Sequence, residues 1–142
     1  MINIIKKILF IFSIITFFGG CADHIIESAP SIDEQNNEDL LASTFSEIQT
    51  NVFNKSCALG ACHGGVVMPD LSANSYSRIV NKPSSMGMDY VEPNDPNNSY
   101  LFLKITGDSS ISGERMPRNS SALSQSTIDS IRKWIENGAQ NN

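Results

Sequence analysis

Cys57-Ala58-Leu59-Gly60-Ala61-Cys62-His63 brings two thiols and an imidazole into one short stretch. The second thiol and the imidazole are sequence neighbours. Sulfur of this kind forms covalent bonds or holds soft metals, and a neutral imidazole is a common metal ligand. Gly60, permissive in its backbone dihedrals, gives the spacer between the cysteines room to bulge. The chain has three cysteines, an odd number, so one disulfide would leave a thiol over.

The residue types follow the order of the c-type haem attachment signature, Cys-x-x-Cys-His. In that chemistry two thiols add across the two vinyl groups of a haem as thioethers. The imidazole of the next residue then ligates the iron. Here four residues separate Cys57 from Cys62 where the signature has two. Both sulfurs reach vinyls fixed on one porphyrin only if the spacer bulges.

The N-terminus reads as an address. Lys6 and Lys7 form a basic n-region, and residues 8–18 are apolar apart from Ser13 and Thr16. Phe18-Gly19-Gly20-Cys21 resembles the bacterial lipobox, with Phe18 where leucine is usual. Residues 1–20 are therefore expected to be a lipoprotein signal peptide, with Cys21 diacylated. Two acyl chains anchor stably where one does not. The expected location is a bacterial membrane, facing the periplasm or the exterior. Ala22 resembles the small residue of lipoproteins sorted to the outer membrane. An ordinary signal peptide or an uncleaved anchor is the alternative.

Residues 21–39 carry Asp23, Glu27, Asp33, Glu34, Glu38 and Asp39 and no basic residue apart from His24. Such a stretch buries too little apolar surface to offset its ordering entropy, so an acidic disordered tether is expected. His24 falls inside it as a solvated residue. The remainder, 40–142, is one domain with nine acidic and eight basic residues. The formal charge of −5 points away from nucleic acid.

Within that domain the apolar spacing is helical throughout. Thr44-Phe45-Ser46-Glu47 reads as a capping box, followed by Ile48, Val52 and Phe53, giving a helix that ends near Lys55. Tyr76, Ile79 and Val80 predict a short helix over about 73–81. Asp95-Pro96 is a helix start, Tyr100, Leu101 and Leu103 form an apolar face, and Gly107 closes it. Ser126-Thr127-Ile128-Asp129 reads as a second capping box, leading to Ile131, Trp134 and Ile135 and a stop at Asn137-Gly138. No strand-like alternation of any length occurs.

An iron held by His63 has one axial position left. The only other histidine, His24, lies in the tether. Met68 is five residues from His63 and stays on the same side of the ring. Met86, Met88 and Met116 are far enough along the chain to cross to the other face. Met116 suits best, in a loop before Pro117 that the terminal helix can brace. A thioether is soft, favours ferrous iron and raises the reduction potential.

From about residue 44 to 139 the chain resembles the small monohaem c-type cytochrome domains of bacteria, in particular the planctomycete-type domains. The pieces that carry the resemblance occur in order. They are Val52-Phe53; Cys62-His63-Gly64-Gly65; Pro93-Asn94-Asp95-Pro96; Asn97-Asn98-Ser99-Tyr100-Leu101; Lys104-Ile105-Thr106-Gly107; Gly113-Glu114-Arg115-Met116-Pro117; and Trp134-Ile135-Glu136-Asn137-Gly138-Ala139. The resemblance implies an all-α, cytochrome c-like bundle of about four short helices around one covalently bound haem c. It implies haem attachment at Cys57 and Cys62, His63 as proximal ligand and Met116 as distal ligand. It also implies an electron carrier serving redox partner proteins rather than an enzyme. In class I c-type cytochromes a proline after the haem histidine offers its carbonyl to the imidazole. Pro69 fits that place or is simply a loop proline.

Three other readings stand beside this one. A peroxidase-like enzyme or gas sensor needs an open sixth position. A haem-free lipoprotein binding module would join Cys57 and Cys62 in a disulfide, as an oxidising compartment favours. A zinc site would have only Cys57, Cys62 and His63 as ligands, at unusual spacing.

Overall fold

The computed structural model describes residues 41–142. The expected signal peptide, the lipidation site Cys21, His24 and the acidic tether lie outside the described residues. Among the described residues the chain is helical and has no strand; isolated bridges pair Val80 with Val91 and Pro83 with Asp89. The all-α expectation holds, and no described helix is long and apolar enough to cross a membrane.

Helix α1 spans Phe45–Ile48, and its N-cap is Thr44, whose hydroxyl accepts the Glu47 N–H at 3.4 Å. Only half of the expected capping box forms, because the Glu47 carboxylate accepts from the Asn51 amide at 2.7 Å instead. The helix then widens without a break into a π-helix over Gln49–Cys57. Its closing bond, Ala58 N–H to Phe53 C=O at 2.7 Å, spans five residues. The expected end at Lys55 is thus extended to Cys57. The wider turn keeps Phe45, Ile48, Val52 and Phe53 all buried.

Helix α2 is one turn, Tyr76–Ile79, shorter than the expected 73–81. Ala73 and Asn81 adopt left-handed φ of 50° and 51°, which ends regular helix on either side. Buried Gln49 ties this region to the π-helix. Its amide donates to the Leu71 carbonyl at 2.9 Å and accepts from the Ser75 N–H and hydroxyl at 3.0 and 2.8 Å.

The predicted start at Asp95-Pro96 is a separate 3₁₀ turn, Pro96–Asn98, whose Asn97 and Asn98 N–H groups donate to the Asp95 carboxylate. Extended Ser99 then resets the backbone before α3, Tyr100–Thr106. Gly107, at φ 74°, closes α3 with its N–H donated to Leu103 C=O, as expected of a left-handed cap. Helix α4 is Gln125–Glu136, and its cap is Ser124 rather than Ser126: the Ser124 hydroxyl accepts the Thr127 N–H at 3.2 Å. Both serines are chemically able to cap. The helix starts early enough to place Ile128 one turn in, on the buried face.

Ile128, Ile131, Trp134 and Ile135 of α4 share one buried core with Phe45, Ile48, Phe102 and Ile105. The Phe45 ring lies 5.7 Å from that of Trp134 and edge-on to Tyr76 at 5.3 Å. The last residue closes the domain, since Asn142 accepts the Phe45 and Ser46 N–H groups. Removing the cap of α4 with Ser124→Ala should cost about 1 kcal/mol in urea denaturation, whereas Ser126→Ala should cost about a few tenths at most.

Candidate functional site

One cavity of about 760 Å³ opens between the π-helix, the 58–71 loop, α3, the 116–124 loop and α4. Pockets that engulf a drug-sized ligand run roughly 300–1,000 Å³. Val52, Phe53, Leu71, Leu101, Ile105 and Ile131 give it an apolar wall. Cys57, Cys62, His63 and Met116 all line it. These four are the residues singled out from the sequence, and folding brings them to one space from opposite parts of the domain. Met68 also lines the cavity from the loop that follows His63, while Met86 and Met88 do not.

Cys57 is the last residue of the π-helix and Cys62 lies in the turn beyond it. The spacer folds back on itself: Cys62 N–H donates to Leu59 C=O at 2.8 Å and His63 N–H to Cys57 C=O at 3.1 Å. Gly64 makes this fold possible. A Cβ there would stand 2.8 Å from the Ala58 carbonyl oxygen and 3.0 Å from that of Leu59. Gly60 has open space around it and no left-handed φ, so the expected role of a spacer glycine belongs to Gly64. The two-residue excess of the spacer is taken up by this backbone turn, and both cysteines still line the same cavity.

The thiols differ. Both are free, with Cys57 half-buried and Cys62 exposed. Burial first, and then the charge of Cys62 beside it, push the Cys57 thiol up to about 11. A thioether in its place would have no proton to lose and so no charge to desolvate.

The imidazole of His63 is pinned by its Nδ1, 3.0 Å from the Pro69 carbonyl and 3.2 Å from that of Val67. A carbonyl only accepts, so Nδ1 carries a proton, and in the neutral ring Nε2 carries the lone pair. Among the described residues Nε2 has no hydrogen-bond partner. Pro69 therefore takes the orienting place rather than that of a plain loop residue. Its own segment is braced from behind. Leu71 N–H donates to His63 C=O at 2.7 Å, and the Asp70 carboxylate accepts the Ser72 hydroxyl at 2.6 Å and N–H at 2.9 Å. The Ser72 hydroxyl and amide, then Arg78, hold the Asp70 carboxyl below its ordinary range.

On the opposite part of the chain, the Met116 loop is held by α3 rather than by α4 as expected. The Met116 N–H donates to the Lys104 carbonyl at 2.8 Å. Arg115 packs its stem against Gly107 and donates to the Met116 and Ser120 carbonyls, both at 3.0 Å. Sequence reading missed Tyr90, Tyr100, Lys104 and Arg118 on the cavity wall. Tyr100 left a trace as part of the apolar face of α3, and Lys104 as a cation in that helix. Among the described residues no three His, Cys, Asp or Glu side chains converge to hold a metal ion directly, as a zinc site requires. The side chains on the cavity wall offer two thiols, one imidazole nitrogen and the thioethers of Met116 and Met68.

Comparison with protein-family models, with curated proteins and with solved structures finds no match to the chain.

In the haem-free domain, iodoacetamide at mildly alkaline pH should alkylate Cys62 well before Cys57, with Cys57 labelling accelerating as pH approaches about 11. The folded state keeps the Cys57 proton through a range in which the unfolded chain, with a thiol pKa of about 8.5, gives it up. Stability fully present below that range should therefore be lost as pH rises through it, read as a falling urea midpoint. Gly64→Ala should lower stability by about 1–3 kcal/mol through the close carbonyl contacts, and Gly60→Ala should not lower it.

Proposed function

We propose that the domain is a membrane-tethered monohaem c-type cytochrome that carries single electrons. The observation that supports this best is the convergence of Cys57, Cys62, His63 and Met116 on one apolar cavity, with the imidazole already turned to leave Nε2 free. In this reading the fold is a cytochrome c-like bundle. Cys57 and Cys62 would hold the porphyrin through thioether bonds, and His63 Nε2 and the Met116 sulfur would ligate its iron. Haem c bound there supplies a one-electron Fe(III)/Fe(II) couple.

The chain's own groups tune that couple. The Pro69 carbonyl, accepting from Nδ1, fixes the ring plane and raises the basicity of Nε2. The soft thioether of Met116 favours the reduced state. Phe53, Leu101 and Ile131 exclude water and lower the local dielectric, which disfavours the extra charge of the oxidised state. With His63 and Met116 both engaged as ligands, the iron would have no site for a substrate, so the reading is a carrier rather than an enzyme. The lipobox-like Cys21 and the acidic 21–39 stretch support a lipid-anchored placement on a bacterial membrane, where soluble or membrane redox proteins would exchange electrons with it.

The protein expressed with c-type maturation machinery and extracted with acid should retain haem, giving a haemochrome spectrum in alkaline pyridine. Met116→Ala should lower the reduction potential and open the iron to added imidazole. A colourless protein with Cys57 and Cys62 joined in a disulfide would overturn the reading in favour of a haem-free binding module.

A further inference from the structure

We propose that Lys104 is the positioning residue for Met116, holding the thioether loop in place. The inference rests on the haem reading above, since it concerns the residue that reading makes the distal ligand. Lys104 grips the loop in two ways. Its backbone carbonyl accepts the Met116 N–H at 2.8 Å. Its ammonium crosses the loop and donates to the carbonyls of Ser112 at 2.9 Å and Glu114 at 2.5 Å. One residue of α3 thus bonds the main chain of 112, 114 and 116.

The neighbours act in the same direction. The Ser112 N–H donates to the hydroxyl of Tyr100 at 3.3 Å, and Tyr100 lies one helical turn before Lys104 on the same face. Lys104 also lines the cavity, so the side chain that holds the loop sits beside the space that Met116 lines. No carboxylate partners the Lys104 ammonium among the described ion pairs. Its charge is directed at backbone carbonyls, an arrangement that orders a loop rather than one that balances surface charge. The segment Asp108-Ser109-Ser110-Ile111-Ser112-Gly113 is irregular and rich in small polar residues, and it loses much entropy on ordering. The Lys104 bonds offset that loss before the ligand bond has to.

Lys104→Leu keeps an apolar stem and removes the ammonium without adding a sulfur to the cavity; Lys104→Arg keeps charge and donors. In haem-loaded protein, Lys104→Leu should retain covalent haem and the helical circular dichroism of the parent. Amide exchange of residues 112–116 should speed about tenfold or more, in loaded and haem-free protein alike. Imidazole should bind the ferric iron about tenfold or more tightly than in the parent, because the displaced thioether competes less well. The reduction potential should fall, and Lys104→Arg should restore all three. Normal haem content with unchanged exchange, imidazole affinity and potential would overturn the role of Lys104 and leave the haem reading standing. A parent protein without covalent haem would instead bring down the reading itself, and the positioning role with it. Should Lys104→Leu not fold, Lys104→Ala carries the same comparison, again without a side-chain donor.

Discussion

The hydrogen bond from His63 Nδ1 to the Pro69 carbonyl is the constraint on which the site depends. It decides the tautomer, and the tautomer decides which nitrogen is available. An imidazole free to rotate would offer either nitrogen and any ring plane. Held at Nδ1, it offers Nε2 alone, in a direction set by the backbone. That backbone is not free either. The Leu71 N–H bonds back to the His63 carbonyl, and buried Gln49 fastens Leu71 and Ser75 to the π-helix that ends in Cys57. The thiol, the imidazole and the carbonyl that orients it are thus parts of one hydrogen-bonded unit.

The helices around this unit are short: four residues in α1, four in α2, seven in α3 and twelve in α4. Isolated helices below about 12–15 residues are marginal in water, so packing has to supply their stability. Fully burying one large apolar side chain contributes about 1.5–3 kcal/mol, and a domain's net stability is about 5–15 kcal/mol. The wall residues Val52, Phe53, Leu71, Leu101, Ile105 and Ile131 are already buried, so their packing supplies much of that margin within the domain. In the proposed reading the cofactor completes the core from the cavity side, and loading adds to the stability of a domain that is already packed.

Parts of this were legible in the sequence and parts were not, for physical reasons. The face of α4 was readable because Ile128, Ile131, Trp134 and Ile135 repeat at helical spacing, and all are buried. Thr44, Asp95 and Gly107 were readable because caps need particular side chains or a left-handed φ, and each does what its chemistry suits. The convergence of Cys57, Cys62, His63 and Met116 followed from motif order rather than periodicity. The π-helix was not readable, since five-residue hydrogen bonds leave no distinct apolar period. Ser124 and Ser126 are equivalent in type, and only packing of the apolar face selects between them. The left-handed Ala73 that shortens α2 has no side-chain signature. Gly64, not Gly60, makes the close approach because that contact belongs to the folded turn. The bracing of the Met116 loop by Lys104 is a tertiary contact that no local pattern announces.

The central claim is that both sulfurs of the Cys57–Cys62 turn carry one porphyrin. Intact-mass measurement of the purified, denatured protein, after exposure to excess alkylating reagent, tests it most directly. The account predicts a mass increased by one haem, with neither Cys57 nor Cys62 alkylated before or after treatment with a disulfide reductant. A mass with no haem added, and both cysteines alkylated once reductant is present, would contradict it.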